Sequence, residues 1–154
     1  MDSLLASILL LSTCVWVGGY VAIAVVARSA TATLDPRSRV AFFRSLGRRY
    51  LLVGAPALIV ALATGAVMLR DVEQDATVVT AYVVAGVLVV AFAVAVRQAR
   101  RMTVLRRDLI DAPGDDLAGR VRRGGVQAGL LRALLGVLSI VLVVLGAVIA
   151  TGAA

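Results

Sequence analysis

Four uncharged stretches alternate with short charged ones along this chain, and that alternation predicts the architecture. Ser3–Ala27, Leu51–Leu69, Thr77–Val96 and Ala133–Ala150 contain no Asp, Glu, Lys, Arg or His. Crossing the hydrocarbon core of a bilayer as a helix takes roughly 17–25 apolar residues. Each stretch meets that length, so the pattern predicts four transmembrane helices in a single transmembrane domain spanning residues 1–154. The segment from Asp35 to Arg70 shows the logic most clearly. Its first half, DPRSRVAFFRSLGRRY, mixes Arg37, Arg39, Arg44, Arg48 and Arg49 with Val40, Phe43, Leu46 and Tyr50. Its second half is wholly apolar, so one helix passes from water into lipid near Tyr50. Asp35 is placed to cap that helix, and Pro36 fits its first turn, where no N–H is needed.

The polar stretches fix an expected orientation. The first holds six arginines against Asp35 alone, a net +5; the second, RDVEQDA, holds Arg70 against Asp71, Glu73 and Asp75, a net −2. The third, Arg97–Arg132, holds nine arginines against four aspartates, again +5. Arginine-rich flanking loops mark the cytoplasmic side. Loops 1 and 3 are therefore expected in the cytoplasm, with both termini outside. The third helix should run on to about Ile110, because nothing breaks it before Ala112-Pro113-Gly114. Asp115 or Asp116 then caps the fourth helix, and Gly124-Gly125 is a place where that helix bends or breaks. The fold expected is an all-α integral membrane four-helix bundle.

Composition agrees. Hydrophobic residues make up 61% of the chain, whereas soluble domains hold about 45–50%. Every basic residue is Arg, which with the Ala and Val richness points to a GC-rich bacterial genome and a multi-pass protein of the bacterial cytoplasmic (inner) membrane. The N-terminal MDS lacks a basic n-region, so the first apolar run reads as a retained span rather than a signal peptide. The net charge of +7 sits beside the spans, where topology and anionic headgroups account for it without a nucleic-acid partner.

Between lipid-covered helices, small residues permit close approach. Ser3, Ser7, Cys14, Gly18 and Ala22 form such a stripe in the first span; Gly54, Ala57, Ala61 and Gly65 in the second; Ala81 and Ala85 in the third. Gly129, Ala133, Gly136, Ser139, Gly146 and Ala150 do so in the fourth. These stripes are the expected helix contacts, with Cys14 packed among them as a compact apolar residue. Pro56 frees a carbonyl of its helix and marks a kink site.

Candidate chemistry is sparse. There is no His, and Cys14 is the single cysteine, level with no thioether: Met68 lies near the far end of its span. Neither a metal site nor a cofactor is expected. Trp16 sits near the middle of its apolar run and reads as bulky core, while Thr64-Gly65 and Ser139 either line a polar path or bond back to their own helices. No residues suited to acid–base work meet at one depth, so an enzyme is not expected. The strongest polar feature is a basic collar. Arg44, Arg48, Arg49, Arg97, Arg100, Arg101, Arg120, Arg122 and Arg123 are candidates for binding lipid phosphate, for which the guanidinium fork is suited.

Trp16-Val17-Gly18-Gly19, Phe43-Arg44, Arg48-Arg49-Tyr50, Pro56, Thr64-Gly65 and Met68 together resemble the membrane domain of the copper resistance protein D family and related four-helix bacterial membrane proteins, over residues 5–70. The resemblance implies a helical membrane fold and copper handling. That family usually carries a His about two turns before the Trp, where this chain reads Ser7-Ile8-Leu9-Leu10. The function expected is a non-enzymatic accessory or structural module packing against anionic lipid and a partner, either a second copy or another membrane protein. The alternative is a small transport or permeation module of copper-resistance type.

Overall fold

The computed structural model describes the backbone of residues 2–111 and 115–152, and their side chains apart from 2, 36, 37, 40, 102–111, 115–122 and 126. Four helices account for nearly all of it: α1 (Asp2–Thr33), α2 (Pro36–Met68), α3 (Ala76–Asp111) and α4 (Asp115–Thr151), with a 3-10 turn at Leu69–Asp71. All four contain segments long and apolar enough to cross a membrane. The chain divides into two compact units, Met1–Glu73 and Gln74–Ala154. Each is an antiparallel helical hairpin, α1 on α2 and α3 on α4.

The helix starts follow the capping chemistry. Asp35 accepts the Ser38 N–H on Oδ2 at 3.2 Å and the Arg39 N–H on its carbonyl at 3.0 Å, with Pro36 as the first helical residue. Arg39 also donates from Nη2 to the Leu34 carbonyl at 3.2 Å. One side chain thus binds the end of α1 from the start of α2, where a cation suits the helix dipole. Asp75 repeats the capping arrangement for α3, accepting the Val78 N–H at 2.8 Å and the Val79 N–H at 3.1 Å. At the far end, Gly152 adopts φ +63° and terminates α4, a left-handed conformation that costs glycine little. The Ala112–Gly114 turn lies outside the described residues, as does any cap from the Asp115 or Asp116 side chain. Gly124-Gly125 does not interrupt α4, which is continuous across both.

Each helix buries one seam at alternating three- and four-residue spacing. In α1 it is Leu5, Leu9, Ser12, Trp16, Gly19, Ile23, Val26 and Ala30; in α2, Phe43, Leu46, Tyr50, Gly54, Ala57, Ala61, Thr64 and Met68. In α3 it runs through Val78, Ala81, Ala85, Leu88 and Ala95, and in α4 through Gly124, Ala128, Leu131, Leu135, Leu138, Leu142, Leu145 and Ile149. A 3.5-residue average keeps a seam facing its partner along the whole hairpin with left-handed supercoiling.

The seams correct two of the four small-residue stripes. Those of α2 and α3 do lie at the contact, but Ser3, Ser7, Cys14, Gly18 and Ala22 of α1 are all exposed. In α4, Gly129, Ala133, Gly146 and Ala150 are exposed too, leaving Gly136 half-buried and Ser139 buried. The physical reason is complementarity. Close approach needs smallness on one side only, so Gly54 receives Trp16 and Gly65 receives Leu9, while the α4 seam that meets Ala81 and Ala85 is built mostly of leucine. Hydroxyls turn back on their own helices, buried or not: Ser139 inside the second hairpin donates to the Leu135 carbonyl at 2.8 Å, and the exposed Thr80 to the Ala76 carbonyl at 2.7 Å. Such bonds satisfy a hydroxyl without water.

Candidate functional site at the basic ends of the hairpins

An aromatic cluster closes the first hairpin near its basic end. Tyr50, the residue following Arg49, donates its hydroxyl to the Trp16 carbonyl at 2.9 Å. Its ring stacks on Trp16 with centroids 6.1 Å apart, and Tyr20 meets both rings edge-on at 5.1 and 5.8 Å. Two glycines make room. A Cβ on Gly19 would collide with Tyr50 Cε2, and one on Gly54 would lie 3.1 Å from Tyr50 Cζ and 3.4 Å from Trp16 Cε3. By contrast a Cβ on Gly18 meets nothing within 4 Å. The Gly-Gly pair is therefore asymmetric: Gly19 is the socket for a ring and Gly18 faces outward. Trp16 is 3% exposed and belongs to the core.

The same contacts set the depth of each residue. Trp16 lies against Gly54 and Leu9 lies 3.8 Å from a Cβ on Gly65. Arg49, five positions before Gly54, is then level with Val21, and Arg48 with Ala22. Trp16 is consequently about 7–8 Å along the helix axis from the plane of Arg49. Trp16, Tyr20 and Tyr50 thus cluster within about two turns of Arg49 along the hairpin. From Tyr50 to Leu69 the helix rises about 30 Å, and from Ser3 to Tyr20 about 27 Å, both close to the hydrocarbon thickness. The last part of the Ser3–Ala27 run, from Val21 onward, lies beyond Arg49 toward the basic end, where Val21 and Val25 are about 60% exposed.

The second hairpin is closed by amides. Gln98 donates from Nε2 to the Gly124 carbonyl and to Gln127 Oε1, both at 3.4 Å. Gly124 is buried, and its carbonyl accepts this bond from the facing helix.

The arginines assemble around these closures. Arg44, Arg48 and Arg49 are exposed on α2, Arg97, Arg100 and Arg101 on α3, and Arg123 on α4. Arg120 and Arg122 lie outside the described side chains. Of the remaining candidates, Pro56 is exposed within an unbroken α2, Thr64 is buried and Gly65 half-buried. Cys14 is exposed rather than packed between helices, because it stands on the side of α1 away from the Leu9–Trp16 seam. Among the described residues no three His, Cys, Asp or Glu side chains converge. Sequence reasoning missed Tyr50 as the keystone and the Gln98–Gln127 pair. The signals for both were present: a tyrosine four residues before a glycine, and two glutamines flanking uncharged runs. Comparisons with protein-family models, curated proteins and solved structures give no match to this chain.

Proposed function

We propose that this protein is a non-enzymatic, four-span membrane module that packs against anionic lipid and partner helices. Loops 1 and 3 face the cytoplasm and both termini face outside. One observation carries the reading: each hairpin joins a span of near-bilayer length to a single arginine-rich end, while its flanks are apolar and exposed. Leu4, Leu10 and Leu11 on α1 and Leu130 on α4 are 65–67% exposed, and such surface is stable only against lipid or other helices. Guanidinium groups gathered at the basic end of each hairpin match the phosphates of an anionic leaflet.

Two measurements test this. A cysteine replacing Asp75 in the Cys14→Ser background should react with an impermeant thiol reagent in intact cells, and one replacing Arg106 should not; the reverse pattern overturns the orientation. Phosphatidylglycerol should raise the thermal stability of the purified protein more than phosphatidylcholine. In 1 M salt, where the Debye length is about 3 Å, that difference should shrink. Equal stabilisation by both lipids removes the lipid reading.

A further inference from the structure

Arg132 stands apart from the other arginines. From sequence it marks the end of the third polar stretch, just outside the fourth span. The hairpin register places it elsewhere. Gln98, next to Arg97 at the end of the uncharged part of α3, bonds to Gly124 and Gln127. Arg132 is five to eight residues further along α4, so its Cα is about 7–12 Å inside the plane of Gln98. There it is level with Val90–Ala93 of α3, within an apolar span.

The side chain is on the outer surface of the hairpin. Arg132 is exposed, and its neighbours Leu130, Leu134 and Val137 are 67%, 45% and 58% exposed. Among the described residues it forms no ion pair. A guanidinium in hydrocarbon is costly and calls for a counter-charge or escape to the interface. Helical side chains lean toward the N-terminus, which for α4 is the arginine-rich end. The turn toward which Arg132 leans carries Gly129 and, a turn beyond, Gly125; a Cβ on either would meet nothing within 4 Å. The stem has a clear path along the helix, and space remains beside its head.

We propose that Arg132 binds the phosphate of an anionic phospholipid drawn below the headgroup plane on the outer face of the α3–α4 hairpin. The fork supplies paired N–H donors for phosphate oxygens. The exposed leucines and valine around it suit acyl chains, and Arg97, Arg100, Arg101 and Arg123 concentrate anionic lipid at the adjacent end. The proposal rests on the lipid-packing reading above and adds a specific seat to it.

The test is native mass spectrometry of the full chain released from mixed phosphatidylglycerol–phosphatidylcholine micelles. Wild type should retain phosphatidylglycerol in preference. Arg132→Leu, which removes a charge from an apolar face, should cut that retention about tenfold, the value of one charge-assisted contact. Arg132→Gln should behave alike and serves if Arg132→Leu is poorly produced, while Arg70→Leu, an exposed charge in the acidic turn after α2, should change retention less than about twofold. Retention unchanged in both Arg132 variants overturns the seat while leaving the collar standing. Loss of an oligomer with lipid retention intact assigns Arg132 to a carboxylate of a partner helix and also overturns it. Wild type without any preference for phosphatidylglycerol refutes the collar reading together with the seat.

Discussion

Replacing Gly19 and Gly18 by alanine, one at a time, separates a socket from an open surface using two adjacent positions of one helix. In either place alanine relieves the intrinsic helix penalty of glycine, about 0.5–1 kcal/mol. At Gly18 nothing opposes that gain, since a Cβ there meets no atom within 4 Å. At Gly19 the new methyl overlaps Tyr50 Cε2 and stands 3.1 Å from both Cζ and Oη. The ring has little freedom to yield: Trp16 stacks on one side, Tyr20 meets its edge, and the hydroxyl is tied to the Trp16 carbonyl. Overpacking of this kind costs about 1–3 kcal/mol, and a displaced Tyr50 forfeits a hydrogen bond of about 0.5–1.5 kcal/mol. Because the propensity gain is shared, the gap between the two variants isolates the clash, and it should be roughly 1–3 kcal/mol. Reversible unfolding in mixed micelles, followed by helical circular dichroism, measures it. In a Tyr50→Leu background the gap should collapse to within about 0.5 kcal/mol, since the two changes are then uncoupled. Equal stabilities for Gly18→Ala and Gly19→Ala, or a gap that persists without the tyrosine ring, would refute the assignment of Gly19 as the socket.

Other expectations follow from the same structure. Asp75→Ala should destabilise the second hairpin by about 1 kcal/mol through loss of the α3 cap, and Asp75→Asn should recover most of it in the same unfolding assay. Cys14→Ser should change stability by less than about 0.5 kcal/mol, because the thiol is on the outer surface. The purified chain should bind less than one copper(I) ion per two chains, since copper(I) needs converging soft ligands and one chain brings a single thiol to that depth; stoichiometric copper that disappears in Cys14→Ser refutes this.

Some of the molecule follows from the sequence by rules that need no partner. Uncharged runs of 18 to 25 residues must be helical where water is absent, because a backbone in lipid has to satisfy its own hydrogen bonds. Asp35 and Pro36 start α2 where local capping chemistry places them, and the 3,4 spacing of the packing seams is inherent in pairing helices side by side. What sequence could not determine is which face of a helix packs, and at what depth. Small residues occur on several faces of α1 and α4, and the choice fell to large ones because α2 and α3 already supply the small side of each contact. Depth depends on register between helices. Only the fit of Trp16 against Gly54 places Arg49 level with Val21. Only the bond from Gln98 to Gly124 sets Arg132 level with Val90–Ala93 of α3. Each of these is a relation between distant positions, and a periodic pattern along one strand of chain carries no information about how far it slides against its neighbour.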